Sequence, residues 1–138
     1  MAFVIDASVT MAWCFEDEAT RGTDELLGRL ATEDAYAPSV WPLEVTNVLL
    51  VAERRGRLVE SKAMRFVALL DQLPIAVDPH VTIGDLLAGG RRHALSAYDA
   101  AYLFLAQRLA MPLATLDNTL AAAAHAAGVE LVLPRPQQ

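Results

Sequence analysis

Four acidic residues interrupt apolar stretches of the sequence at positions where a solvent-facing surface would carry several polar residues together. They are Asp6, Glu44, Asp99 and Asp117. Carboxylates that converge repel one another unless a cation neutralises them, and no Lys or Arg lies within these stretches. Oxygen ligands without His or Cys favour Mg²⁺ or Mn²⁺ over Zn²⁺. Such ions activate water and stabilise leaving oxygens on phosphorus, so the acids predict metal-dependent phosphodiester hydrolysis.

Each of these acids also has a purely structural interpretation. Asp6 and Asp117 both precede predicted helices, where Asp is a favoured N-cap. Ser96 followed by Asp99 resembles a capping box. Glu44, in the first turn of a predicted helix, gains about 0.3–1 kcal/mol from the helix dipole. Because burying an unpaired carboxylate costs several kcal/mol, we expect a cationic group to contact Glu44.

The segments that carry the acids alternate between strand and helix patterns. The apolar runs AFVI, IAV, PLATL and ELVL predict strands, YAPSVWP is predicted to be extended because of its prolines, and helices are predicted at about 20–31, 42–55, 61–73, 81–95, 95–106 and 118–127. This alternation predicts a parallel α/β sheet with helices on both faces. Asp6 and Asp117 each end a predicted strand, and ligands of such sheets bind beyond the carboxyl ends of the strands.

Composition limits the class of protein. With 138 residues, 54% of them hydrophobic, the chain predicts one domain with a substantial core. A net charge of −6 argues against broad nonspecific nucleic-acid binding, but not against a nuclease whose acids hold a metal. Cys14 stands alone, so no disulfide framework or thiolate zinc site is expected. The apolar runs are shorter than the about 20 residues that span a membrane, and the N-terminus has no basic leader, so we expect a cytoplasmic protein.

Four motifs together resemble those of the PIN-domain ribonucleases. In sequence order they are VIDAS, WPLEVTNVLL, LSAYDAAYLFLA and PLATLDNTL. The resemblance is strongest to the VapC-type toxins of bacterial toxin-antitoxin pairs. It implies a three-layer α/β/α PIN-like domain with a small, mainly parallel sheet. We place this nuclease domain at residues 1–133 and a polar C-terminal tail at 134–138.

The resemblance also implies an activity, partners and a set of site residues. It implies a Mg²⁺- or Mn²⁺-dependent endoribonuclease that is the toxin of a VapB-type antitoxin and forms a homodimer. The four acids match the catalytic and metal-binding positions, with Asp6 and Asp99 as the principal ligands, while Ser8, Asn47 and Thr115 match positions that support the pocket. Many relatives carry a further acid where this chain has Thr119. We therefore expect one or two ions per site.

RNA must be held by groups other than the acids. The basic clusters contain Arg54 and Arg55, and Arg91 and Arg92, and Trp13 or Trp41 offers a surface on which bases stack. The competing interpretation is structural, because Arg is common near helix C-termini and a lone Trp is usually in the core. A haloacid-dehalogenase-like phosphatase is disfavoured because Ser8 stands where a second Asp is needed. The remaining alternative is a catalytically inactive PIN-like scaffold that binds RNA or protein.

Overall fold

A parallel four-stranded sheet forms the centre of the protein in the computed structural model, which describes residues 1–133. The sequence-predicted tail, 134–138, lies outside the described residues. The strands are β1 (Ala2–Ile5), β2 (Asp34–Pro38), β3 (Ile75–Asp78) and β4 (Leu113–Ala114). The helices are α1 (Ala7–Ala12), α2 (Arg21–Arg29), α3 (Val40–Arg54), α4 (Glu60–Gln72), α5 (Ile83–His93), α6 (Ala97–Leu109) and α7 (Asn118–Ala126), with a short 3-10 helix at Glu16–Glu18. The sheet order is β3-β2-β1-β4.

Strand β1 lies inside the sheet and explains the first apolar run of the sequence. Its residues Phe3, Val4 and Ile5 are completely buried, as expected for a parallel strand covered on both faces. Ile5 lies opposite Ala114 of β4. The residues that follow these two strands therefore leave the sheet side by side, although more than a hundred positions separate them in sequence.

Two strand predictions differ from the structure. PLATL is a strand only at Leu113–Ala114, and the predicted strand ELVL is wrong, because Leu131 forms only an isolated bridge with Leu113. Two backbone hydrogen bonds make this bridge, from Leu113 N–H to Glu130 and from Val132 N–H to Leu113. A strand as short as β4 offers too few residues for a second ladder to form on its outer edge.

The helix boundaries follow local signals in the sequence. Helix α3 begins at Val40, so Pro42 lies in its first turn, where a missing N–H costs no helical hydrogen bond. Gly56, just beyond its end, has φ +70°, a left-handed conformation that glycine adopts without steric cost. Thr20 caps α2 with a capping box. Within residues 1–133 no helix is both long and apolar enough to cross a membrane.

Helix α6 is apolar around most of its surface because it packs against several elements. It contacts β1, β2 and β4 of the sheet as well as the helices α5 and α7. Helix α3 contacts β2 and α1, and its Trp41 is buried, with Nε1 donating a 2.9 Å hydrogen bond to Thr10. Trp41 is thus a core residue, which removes it as a surface for stacked bases.

Candidate active site

Asp6 lies at the carboxyl end of β1 and is almost completely buried, with 5% of its surface exposed. It is the N-cap of α1, since its Oδ1 accepts a 3.0 Å hydrogen bond from Val9 N–H. The same oxygen accepts a 2.7 Å bond from the Ser8 hydroxyl, and Oδ2 accepts a bond from the Thr115 hydroxyl. The carboxylate therefore caps a helix and is held rigidly at the edge of the sheet.

Burial dominates the electrostatics of Asp6. It raises the pKa of this carboxyl to about 6, against the opposing effect of the hydrogen bonds from Thr115, Ser8 and Val9. The negative charge of Asp117 raises the pKa further. At neutral pH the carboxylate is ionised at a cost in free energy, so a nearby cation would stabilise it.

Asp117 follows β4, and the segment 116–117 is connected to Asp6 through two hydroxyl groups. Its N–H donates a 3.0 Å bond to Thr115 Oγ1, while the N–H of Leu116 donates a 2.9 Å bond to Ser8 Oγ. Asp117 Oδ1 caps α7 by accepting from Thr119 N–H at 2.8 Å and Leu120 N–H at 3.0 Å. Its Oδ2 accepts no hydrogen bond from residues 1–133 and remains available to a ligand.

Glu44 lies on α3 and is paired with a phenol. No Lys, Arg or His pairs with it within residues 1–133, and instead the Tyr102 hydroxyl donates a 2.6 Å hydrogen bond to Glu44 Oε1. Burial, then the contact with Glu44, raises the pKa of Tyr102 above its usual range, so the phenol stays protonated and donates. Sequence reasoning missed this partner, although Tyr102 lies three residues after Asp99, on the same face of its helix.

Asp99, half-buried in the first turn of α6, has no fixed partner. Its N–H donates a 3.1 Å hydrogen bond to Ser96 Oγ, so the predicted N-cap is present. The carboxylate makes no hydrogen bond within residues 1–133, and the second half of the predicted capping box is absent there. Burial raises its pKa, with further contributions from the charges of Asp117 and Glu44.

The four acids act on one another electrostatically. Asp117 raises the pKa of both Asp6 and Asp99, and Glu44 raises that of Asp99. None of the four takes part in an ion pair within the described residues. Their charge is therefore uncompensated by the chain, and their oxygen ligands suit a hard divalent ion.

The spacing of these acids limits how they would hold an ion. Among residues 1–133, no three His, Cys, Asp or Glu side chains are grouped closely enough to hold a metal ion by themselves. Mg²⁺ is commonly bound by one or two carboxylates and keeps several water ligands. The donor chemistry and charge of the site thus fit Mg²⁺ or Mn²⁺ with water completing the coordination, while the exact ligand set stays a prediction.

Comparison with known proteins assigns the fold family. A family model described as "PIN domain" matches residues 3–126. The chain belongs to the PIN domain family. This PIN domain is 29% identical over 124 residues to Ribonuclease VapC3 of Pyrobaculum aerophilum, covering 88% of this chain and 93% of that protein.

Solved structures confirm the predicted fold class of the PIN domain. PAE2754 from Pyrobaculum aerophilum matches with a TM-score of 0.72 and 19% identity, over 89% of this chain and 84% of the other. FitAcB from Neisseria gonorrhoeae matches with a TM-score of 0.65 and 18% identity, over 95% and 96%. VapC20 of Mycobacterium tuberculosis, described as a Sarcin-Ricin loop cleaving toxin, matches with a TM-score of 0.61 and 17% identity, over 88% and 94%.

The remaining predicted site residues lie on the surface of the PIN domain. Asn47 is exposed on α3, three residues beyond Glu44. Arg54 and Arg55 are exposed at the end of α3, and Arg54 is about 15 Å along the helix axis from Glu44. Arg91 and Arg92 are exposed in the last turn of α5. A short connection leads from this turn into α6, the helix that carries Asp99. Arg91 and Arg92 are thus closer along the chain to one of the acids than Arg54 is to Glu44, and a role of either cluster in RNA binding stays a prediction.

Proposed function

We propose that this PIN domain is a Mg²⁺- or Mn²⁺-dependent endoribonuclease that hydrolyses RNA phosphodiester bonds. The observation that carries the proposal is the uncompensated charge shared by Asp6, Glu44, Asp99 and Asp117 at the carboxyl edge of the sheet. Similarity to Ribonuclease VapC3 over most of both chains supports the choice of RNA as substrate.

The roles proposed for the acids follow the family resemblance. We assign Asp6 and Asp99 as the principal direct ligands, in keeping with the one or two carboxylates that commonly bind Mg²⁺. Asp117, with one oxygen unused, and Glu44 would act through water ligands of the ion. A divalent ion, when bound, supplies an activated water and stabilises the leaving 3′ oxygen. Ser8 and Thr115 each donate to one Asp6 oxygen and thereby fix the orientation of the carboxylate.

Tyr102 and the dry surroundings of Asp6 contribute to the same function. The Tyr102 phenol, on α6, holds the Glu44 carboxylate of α3 in one orientation. Because Asp6 is buried, its attraction for a cation is screened less than that of a surface carboxylate. The site thus attracts a divalent ion strongly, while its acids repel RNA phosphates that arrive without one.

We further propose that the domain is the toxin of a VapB-type antitoxin and a homodimer in the cytoplasm. The similarity to VapC3 and the VapC20 toxin fold support this assignment. Large apolar side chains are exposed on three helices: Leu43 at 71%, Met64 at 60% and Ile83 at 84%. A contiguous apolar patch, if these side chains form one, would suit a protein partner. Size-exclusion chromatography with light scattering tests the dimer, and co-purification with the cognate antitoxin tests the pair.

RNA cleavage with matched variants tests the nuclease assignment. We expect cleavage of single-stranded RNA with Mg²⁺ or Mn²⁺, loss of cleavage in EDTA, and loss in Asp99→Asn. Asp24→Asn is the matched control, because Asp24 is an exposed first-turn acid of α2, far from the site in sequence. RNA binding without cleavage under every condition would instead identify an inactive scaffold.

Mapping RNA ends in cells extends this test to the natural substrate. Cells that express the wild-type chain are expected to accumulate new RNA ends that are absent from cells expressing Asp99→Asn. Identical maps would exclude this chain as the nuclease.

A further inference from the structure

A cavity of about 400 Å³ lies between α5, α6 and α7, and none of the four acids lines it. Its apolar wall includes Leu103 and Phe104 of α6. Its polar groups are the side chains of Asp85, Arg92, His93 and Gln107. This combination of an apolar wall and a few polar groups is typical of a small-ligand site, and the volume lies within the usual range for such sites.

One end of the cavity lies beside the candidate active site. Only residues 94–96 connect α5 to α6, and a Cβ placed on Gly89 would lie 3.7 Å from the Cβ of Ala100. The two helices therefore run side by side in opposite directions. Arg92 and His93, at the end of α5, lie next to the start of α6, where Asp99 precedes the lining residue Ala100. Asp85 lies toward the opposite end.

We propose that this cavity binds one nucleotide of the RNA substrate, turned out of its strand next to the cleaved bond. The inference rests on the proposed nuclease function and names the feature of RNA that the site recognises. Proteins read RNA sequence mainly through unstacked bases, which stack on aromatic rings and form hydrogen bonds at their edges. Phe104 supplies the ring, and Gln107 supplies both a donor and an acceptor for the base edge.

The arrangement of charge fixes the orientation of the nucleotide. Arg92 forms no ion pair within residues 1–133, whereas Arg57 and Arg108 are each paired with acids. The guanidinium of Arg92 is therefore available to a phosphate at the end near Asp99. Asp85 would repel a phosphate but can accept a hydrogen bond from an amino or imino group of a base. The base thus occupies the Asp85 end and the phosphate the Arg92 end.

Mononucleotide binding tests the cavity without any cleavage. The wild-type protein in EDTA is titrated with the four 5′-nucleoside monophosphates, the corresponding nucleosides and inorganic phosphate, followed by NMR and calorimetry. We expect saturable binding of at least one monophosphate. Ala88→Phe, which fills the cavity from an exposed lining position, is expected to weaken that binding at least 10-fold. Leu87→Phe is the matched control, because Leu87 is the neighbouring residue, is 49% exposed and lies outside the lining.

A second variant separates base from phosphate recognition. Arg92→Gln is expected to weaken monophosphate binding about 10-fold while leaving nucleoside binding within twofold of wild type. Equal affinity for inorganic phosphate and the monophosphates, or unchanged binding in Ala88→Phe, would overturn the proposal. A change of oligomeric state in Ala88→Phe but not in Leu87→Phe would also overturn it, because the cavity would then be a protein contact.

Cleavage assays distinguish failure of this inference from failure of the nuclease assignment. Ala88→Phe is expected to raise KM about 10-fold and to change the nucleotide preference beside the cleaved bond, while Leu87→Phe cleaves as wild type does. If Ala88→Phe cleaves RNA as the wild type does, and the wild-type protein binds no mononucleotide, the nucleotide site is contradicted and the nuclease assignment is not. Mononucleotide binding by a protein that cleaves no RNA supports the cavity and contradicts the nuclease.

Discussion

The Tyr102 hydroxyl donates a 2.6 Å hydrogen bond to Glu44 Oε1 and thereby joins α6 to α3 across the candidate site. The two residues are 58 positions apart in the sequence. A hydrogen bond to an ionised acceptor is shorter and stronger than one between neutral groups. This contact therefore fixes both the separation of the two helices and the orientation of one of the four acids.

Removing the phenol hydroxyl is expected to impair both stability and cleavage. Tyr102→Phe should lower the free energy of unfolding by about 1–2 kcal/mol, since water replaces part of the lost bond at the half-buried Glu44. RNA cleavage should fall about 10-fold, equivalent to about 1.4 kcal/mol of transition-state stabilisation, because Glu44 loses its fixed orientation. Urea denaturation and cleavage rates measure the two effects. Tyr36→Phe is the control, because the Tyr36 hydroxyl makes no hydrogen bond within residues 1–133. Loss of stability with normal cleavage would show that the phenol is only structural.

The raised pKa of Asp6 predicts a pH-dependent effect on stability. The pKa is about 6 in the folded protein against 3.8 for an unperturbed Asp carboxyl, so the folded state binds more protons between these values and becomes less stable as the pH rises through them. The cost at pH 7 is about 3 kcal/mol. Without metal, Asp6→Asn should therefore be more stable than wild type at pH 7 by about that amount, and the difference should vanish below about pH 4.

Urea denaturation in EDTA at pH 4 and pH 7 measures this difference. Comparing variant with wild type at each pH cancels the contributions of the other titrating groups. Asp24→Asn, which changes an exposed carboxylate, is the matched control. A difference between Asp6→Asn and wild type that is the same at both pH values would contradict the role assigned to burial.

Divalent ions are expected to stabilise the folded protein. An ion that binds only the folded state adds about 2.7 kcal/mol at 100 times its Kd, so Mn²⁺ or Mg²⁺ should raise the Tm in thermal unfolding. Asp99→Asn and Asp117→Asn should each weaken the apparent affinity at least 10-fold, whereas Asp24→Asn should match wild type. Equal Tm increases in all four proteins would place the ion elsewhere.

Ala110 offers a stability test remote from the acids. It has φ 53° at the end of α6, a left-handed conformation that costs free energy for any residue with a Cβ. Ala110→Gly should raise the free energy of unfolding by about 0.5–1 kcal/mol and leave cleavage unchanged. Ala31→Gly, at an exposed turn position without positive φ, should not stabilise. A destabilised Ala110→Gly would show that lost contacts outweigh the relief of strain.

Local sequence patterns were sufficient to predict the elements that form through their own residues. The continuous apolar run before Asp6 predicted β1, and the helices predicted at about 42–55 and 61–73 end within two residues of the bounds of α3 and α4. The ELVL segment has a similar apolar pattern, but a strand also needs a neighbour with enough residues to form a ladder. Within residues 1–133 the strand beside it is β4, which has two residues, and the length of β4 depends on how the chain packs and not on the local sequence.

The same distinction applies to the candidate site: features of a single segment could be predicted from the sequence, and contacts between segments could not. The isolation of the four acids within apolar runs was visible in the sequence, and the structure brings them into electrostatic contact. The phenol of Tyr102 was missed because a Tyr in an apolar helix has the pattern of a core residue, and its acidic partner is on another helix. The cavity beside α6 was equally invisible, because its walls come from three helices.

The pairing of β1 with β4 makes the candidate site depend on segments that are synthesised far apart in time. Thr115 and Asp117 join Asp6 only through that pairing, and they lie in the last fifth of the chain. A ribosome-bound chain that has extruded only its first hundred residues carries three of the acids without the strand that aligns them. On the proposed nuclease function, such a chain would be inactive until β4 is added beside β1 and aligns the fourth acid with the others.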